Sequence, residues 1–168
     1  IEEVDNENRK PILVVCPSSL SLNWKEEIKK FLPDANSVVI SGDSNNREQL
    51  ISNIRKYTVA ITSYDLLKRD IEVYKKHNYM FRYIIADEAQ YIKNNNTQNA
   101  KVIKEIKSET RFALTGTPIE NSLSELWSIF DFIMPGYLFS YNKFKLSYET
   151  PISKEDDKEV MAKLKNMI

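Results

Sequence analysis

The chain has 168 residues, with 24 basic and 24 acidic side chains, so its formal net charge is zero. That length suits one domain with a sizeable core, and a hydrophobic share of 42% is too high for a disordered tail. One cysteine, Cys16, and one histidine, His77, exclude an internal disulfide, a cysteine-based zinc site and a two-histidine metal site.

Glycine is scarce, with three copies at positions 42, 116 and 136. That spacing permits neither G-x-G-x-x-G nor G-x-x-x-x-G-K-[ST], so these residues hold no P-loop and no dinucleotide fingerprint. No apolar run approaches the ~20 residues of a membrane-spanning helix. The first ten residues are acidic and polar, unlike a secretory leader. The balanced charge gives no overall basic excess of the kind compact nucleic-acid modules show, yet leaves room for a local basic strip. A start at Ile1 suggests a longer polypeptide, and abundant Lys, Ile and Asn suggest an AT-rich microbial gene. The expected setting is the cytoplasm of a bacterium or archaeon.

Residues 1–10 are charged and aperiodic and read as a linker or disordered end. Pro11 then opens ILVVC (12–16), an unbroken apolar run of the kind a strand buried on both faces shows. Leu20, Trp24, Ile28 and Phe31 come next at helical spacing, and Pro33 ends the pattern. The alternation repeats: strand 37–41, helix 45–55 through Leu50, Ile51 and Ile54, strand 58–62, then a helix capped by Ser63. Strand 82–86, a helix over 97–107 through Val102, Ile103 and Ile106, and strand 110–114 complete it. This is an α/β pattern, a mostly parallel sheet with helices on both faces, over residues 11–118. From 119 to 168 only helical patterns remain: one through Leu123, Leu126, Trp127, Phe130 and Ile133, then 141–148 and 154–167.

Ligands of open α/β sheets gather at the carboxyl ends of strands. Those ends read Pro17-Ser18-Ser19, Ser63-Tyr64-Asp65, Asp87-Glu88-Ala89-Gln90 and Thr115-Gly116-Thr117-Pro118. The third is the sharpest, because an apolar strand running straight into two carboxylates puts costly negative charge at the core's edge. Nucleotide hydrolysis gives such a pair a purpose, one carboxylate holding Mg²⁺ and the other handling the attacking water. The same dipeptide also suits a helix-capping Asp87 and a solvated Glu88. In the fourth, Gly116 allows a tight or positive-φ bend, and its two hydroxyls suit phosphate or a neighbouring strand. An ordinary turn with Pro118 at a helix start remains the alternative. Cys16 reads as an inert core thiol, His77 as a surface loop residue, and Trp24 and Trp127 as core anchors.

The segments PILVVCPSSLSLNWKEEIKKF (11–31), ITSYDLL (61–67), IIADEAQYIKN (84–94) and LTGTPIENSLSELWSIFDF (114–132) fall in fixed order and spacing. Together they resemble motifs Ia, Ib, II and III of the SWI/SNF-type ATPases, the helicase-like double-stranded DNA translocases. The resemblance spans about residues 11–150 and implies a partial RecA-like lobe without its P-loop strand. It implies ATP with Mg²⁺ as cofactor and double-stranded DNA, held by its backbone, as partner. Asp87 would hold Mg²⁺ through water and Glu88 would activate the hydrolytic water. Gln90 stands where many relatives have His; an amide cannot titrate near neutrality, though it can still hydrogen-bond toward the 115–117 turn. Thr115, Gly116 and Thr117 would couple nucleotide state to DNA grip. Ser18, Ser19, Ser63 and Tyr64 would face the DNA backbone, where small donors position without reading sequence. Lys25, Lys29, Lys30, Lys68 and Arg69 would add charge, with a merely solvated helix face equally open.

By the same resemblance the P-loop belongs upstream of residue 1, and a second RecA-like lobe with arginine fingers belongs downstream of residue 168. These 168 residues alone are therefore expected to bind nucleotide feebly and to hydrolyse none. Strand 110–114 is expected at an uncovered sheet edge, inviting self-association. A degenerate, non-catalytic RecA-like binding module is the alternative; a G-K-[ST] loop some 40–60 residues upstream separates the two. A flavodoxin-type small-ligand protein fits poorly with four matched strand ends.

Overall fold

The computed structural model describes residues 9–116 and 122–168. Five strands form one parallel sheet: β1 (Ile12–Cys16), β2 (Ser37–Val39), β3 (Val59–Ser63), β4 (Met80–Ala86) and β5 (Lys107–Ala113). Their spatial order is β2-β3-β1-β4-β5. β1 is therefore central, and Leu13 to Cys16 are at most 1% exposed, which explains the unbroken apolar run.

Helices cover both faces. On one side α1 (Ser21–Phe31) lays Leu20, Trp24 and Ile28 against Val14, Cys16, Val59 and Ile61. On the other side lie α2 (Ser44–Ser52), α3 (Tyr64–His77) and α4 (Gln98–Glu105), supplying Ile51, Leu67, Ile71, Ala100 and Ile103 to the larger core. Each of these three starts on a side-chain cap: Asp43 accepts from Asn46 N–H, Ser63 from Leu66 N–H and Thr97 from Ala100 N–H. The α/β expectation with helices on both faces therefore holds.

Several boundaries move for physical reasons. Phe31, expected to face inward, is 69% exposed at the last residue of α1, where Lys30 lies 5.0 Å from its ring. β5 begins at Lys107 rather than 110, because Met80 and Phe81 of β4 supply register partners for Lys107 and Ser108; pairing overrides polar composition. α4 stops at Glu105, and Arg111 of β5 donates to the carbonyls of Lys104 and Ile106 at its end and of Phe132 beyond. His77 is not in a loop; it ends α3, stacks on Tyr79 at 5.2 Å and reaches Ser52 Oγ at 3.0 Å.

The remaining chain is helical: α5 (Leu123–Ile133), α6 (Tyr141–Phe144), a π-helical turn (Lys145–Glu149), α7 (Thr150–Glu155) and α8 (Lys158–Met167). Leu126, Trp127, Leu138, Phe144 and Leu164 form their own small core. α5 also reaches back, with Phe132 in the sheet-side core and Ser128 Oγ donating to Ile92 O at 2.7 Å. The helix expected over 154–167 is broken, since Asp156 takes φ 50° and Asp157 caps α8 by accepting from Glu159 and Val160 N–H. The π turn lies where Pro151, lacking an N–H, cannot bond Ser147 four residues back.

One buried ion pair ties α2 to α3. Arg47 donates from Nε and Nη2 to both oxygens of Asp70 at 2.7 and 2.9 Å, and from Nη1 to Gly42 O. The two residues are 8% and 5% exposed. Replacing Arg47 alone with Met strands a buried carboxylate and is expected to cost about 3–5 kcal/mol. The double replacement Arg47→Met with Asp70→Leu is expected to regain most of that loss. Urea unfolding of both variants checks it, and equal losses would contradict the pair's role.

Candidate functional site

The carboxyl ends of β1, β3, β4 and β5 converge on one rim. β4 delivers Asp87, whose backbone N–H donates to Val15 O at 2.8 Å, so the carboxylate segment is registered on the central strand. Leu114 N–H donates to Ala86 O and Ala89 N–H to Leu114 O, both at 2.8 Å. The segment after β4 is thus stitched to the segment after β5.

Asp87 is not a helix cap. The chain passes from it into a 3₁₀ turn, Ala89–Ile92, with no side-chain cap. Its Oδ1 accepts from Glu88 N–H at 2.9 Å, and its Oδ2 accepts from the indole Nε1–H of Trp24 at 2.8 Å. Trp24 is thus more than the core anchor expected: it is half-buried and spends its single donor on the carboxylate. Glu88 adopts φ 52°, a left-handed backbone uncommon for a side chain that is not Asn or Asp. That bend turns it to Gln90, whose Nε2 donates to Glu88 Oε2 at 2.7 Å. Thr115 Oγ1 in turn donates to Gln90 Oε1 at 3.1 Å. Glu88, Gln90 and Thr115 therefore form one hydrogen-bonded chain.

Tyr64, expected on a DNA surface, is 3% exposed. Its phenol donates to Asp87 O at 2.8 Å, and its ring stacks on Tyr91 at 5.1 Å. Burial, with the Asp87 charge beside it, pushes the phenol well above its ordinary value. Burial also raises the Cys16 thiol, and Asp87 adds to that; Cys16 is fully buried, in keeping with an inert thiol.

Ser18, Lys25 and Ser63 line one cleft of about 460 Å³ at the ends of β1 and β3, shared with Ser21 and Ser41. Ser63 is itself only 4% exposed, and its hydroxyl caps α3, so it walls the cleft rather than projecting into it. Ser18, Ser19 and Lys25 are exposed, as are Lys29, Lys30 and Arg69. Lys68 pairs with Asp65 at 2.8 Å. Gly116 keeps its φ outside the left-handed region, and a Cβ there meets nothing within 4 Å, so the expected need for glycine is not visible. Thr117 lies outside the described residues.

The donor set suits Mg²⁺. Neither Asp87 nor Glu88 joins an ion pair among the described residues. No cluster of three or more His, Cys, Asp or Glu able to hold a metal occurs among them. Two carboxylates without a counter-cation fit Mg²⁺, which keeps several waters and uses one or two carboxylates plus substrate phosphates.

Comparison with known proteins agrees with this geometry. A family model described as the SNF2-related domain matches residues 2–168. An uncharacterized ATP-dependent helicase of Mycoplasma genitalium is 39% identical over 153 residues, covering 91% of this chain and 14% of that protein. The TATA-binding protein-associated factor MOT1 of Saccharomyces cerevisiae is 37% identical over 153 residues, covering 91% of this chain and 8% of that protein. The solved SWI2/SNF2 ATPase core of Sulfolobus solfataricus in complex with double-stranded DNA superposes with TM-score 0.84 at 43% identity, over 96% of this chain and 33% of that one. The chain therefore spans a small part, 8–14%, of the length of these curated relatives. A match that runs from residue 2 to the last residue puts the chain in the SNF2-related domain family.

Proposed function

We propose that these residues form part of the first motor lobe of an ATP-driven double-stranded DNA translocase that remodels or strips DNA-bound proteins. The observation that carries it is the unbroken chain from Glu88 through Gln90 to Thr115, beside an Asp87 that joins no ion pair among the described residues. A degenerate binding module has no use for a strained Glu88 held in that arrangement.

In this reading Asp87 holds Mg²⁺ through water, its orientation fixed by Trp24 and by Glu88 N–H. When bound, the metal neutralises charge on the transferring phosphoryl group. Glu88 orients the attacking water and takes its proton. Gln90 keeps Glu88 aimed and links it to Thr115, the first residue of the coupling turn. Ser18 and Lys25 contact DNA phosphates at the cleft that Ser63 walls, and the exposed Ser19 next to Ser18 adds a further donor. The solved relative carrying double-stranded DNA supports that partner. The remaining parts, a phosphate cradle, a second lobe and arginine fingers, belong to the complete polypeptide.

Three outcomes test this. In the complete polypeptide, Glu88→Gln is expected to lower DNA-stimulated kcat by about 10²–10⁴ while ATP and duplex binding persist; retained turnover would move the water-activating role elsewhere. The 168 residues alone are expected to bind Mg-ATP only feebly and to show no turnover, since arginines in cis or trans are worth roughly 10³–10⁵ in rate. Titration calorimetry giving low-micromolar Mg-ATP affinity would refute that expectation. Finally, β5 is a sheet edge with Phe112 45% and Leu114 43% exposed. These residues alone are expected to self-associate at high concentration and Phe112→Lys to reduce it, as read by light scattering; strictly monomeric behaviour of the unsubstituted 168 residues at high concentration would count against this.

A further inference from the structure

We infer that Trp24 and Tyr64 are positioning residues that transmit nucleic-acid contact directly to Asp87. The inference rests on the motor reading above and deepens it. Two side chains from two different helices hold Asp87, and they hold different parts of it. Trp24 of α1 donates to the carboxylate, and Tyr64 of α3 donates to the main-chain carbonyl, each at 2.8 Å.

Each of these residues is the chain neighbour of one that lines the cleft. Lys25 follows Trp24, and Ser63 precedes Tyr64; both line the cleft of about 460 Å³ with Ser18. Two of the cleft walls on which a DNA strand would press, α1 and the start of α3, are therefore the elements that clamp Asp87; the end of β2 with Ile40 and Ser41 makes a third wall that does not. A small rotation of α1 turns the carboxylate, and a shift at the start of α3 moves the peptide that precedes Glu88. Tyr64 also stacks on Tyr91, one residue beyond Gln90, so the same movement reaches the strap carrying Glu88 and Gln90. No long relay is required, because a single residue separates the cleft from Asp87 on each path, from its carboxylate through Trp24 and from its carbonyl through Tyr64. The route differs from the coupling expected of the Thr115 turn, since it runs through α1 and α3.

Energetic couplings between sites amount to about 5–150-fold in typical cases. The test uses the complete polypeptide, with steady-state ATPase measured with and without duplex DNA and duplex affinity measured by fluorescence anisotropy. Trp24→Phe and Tyr64→Phe each remove one hydrogen bond and keep an aromatic ring. Tyr79→Phe is the control, because Tyr79 OH donates to Ser52 O at 2.9 Å, in a buried setting remote from Asp87. The expected result is a fall of about fivefold or more in the ratio of DNA-stimulated to DNA-free kcat for both site variants. Duplex affinity and Tyr79→Phe should remain at the wild-type level. Equal loss of stimulated and DNA-free turnover overturns the inference and leaves Trp24 and Tyr64 as supports of Asp87 only. So does an unchanged ratio, a loss of duplex affinity, or the same fall in Tyr79→Phe. A wild-type protein that hydrolyses ATP without response to duplex DNA overturns the motor reading itself.

Discussion

The structure depends on holding a carboxylate at the end of a buried parallel strand without a cationic side chain beside it. Asp87 meets that constraint by four hydrogen bonds: its N–H to Val15 O of β1, its carboxylate from Trp24 and from Glu88 N–H, and its carbonyl from Tyr64. Hydrogen bonds to charged groups contribute roughly 1.5–3 kcal/mol each, more than neutral ones. They offset part of the desolvation that a strand end imposes while leaving the negative charge un-neutralised. That charge is felt around it, since both the Tyr64 phenol and the Cys16 thiol rise partly because of Asp87. Compensation by donors rather than by lysine or arginine leaves the carboxylate's charge open to a diffusible cation, as the proposed Mg²⁺ role requires.

Sheet order decides why this rim is shared. With β1 in the middle and β3 and β4 on either side of it, the ends of three strands lie side by side although 71 residues separate Cys16 from Asp87 in sequence. The connection from β1 runs toward β2 and that from the neighbouring β4 runs the opposite way to β5, opening the crevice where such folds bind ligands. The cleft lined by Ser18, Lys25 and Ser63 opens on the β1–β3 side. The carboxylates stand on the β1–β4 side. Trp24 reaches from the first to the second, because it sits near the start of α1, which only the 3₁₀ turn Ser18–Leu20 separates from the end of β1.

Much of the sheet was legible because parallel strands buried on both faces cannot hide their composition; ILVVC, TVAIT and YIIA are unbroken apolar runs. β5 was less so, since an edge strand with every residue at least partly exposed carries little compositional signal, and its start at Lys107 is dictated by β4. The break at Asp156 was missed because a helical pattern does not reveal a left-handed cap supplied by a residue other than glycine. At the site, the abrupt passage from apolar strand to Asp87-Glu88 betrayed the carboxylates. Trp24 did not stand out, because helical periodicity explains an inward Trp without asking where its N–H goes. A single buried indole donor near the end of a strand was the available signal. Tyr64 misled for a different reason: the resemblance put it on the DNA backbone, whereas the packing of α3 buries its ring and sends the phenol to Asp87 O.

Gln90 shows how one substitution of chemistry fixes the local network. An ionised Glu88 can only accept, so the NH₂ end of the Gln90 amide must face it, and the carbonyl end must then face Thr115. Thr115 is thereby the donor, and the direction of the whole chain is set by the charge of Glu88. A histidine in that place would change its donor count near neutral pH and could reverse the direction. The amide cannot, so the link from Glu88 to the turn after β5 keeps one polarity across the physiological range.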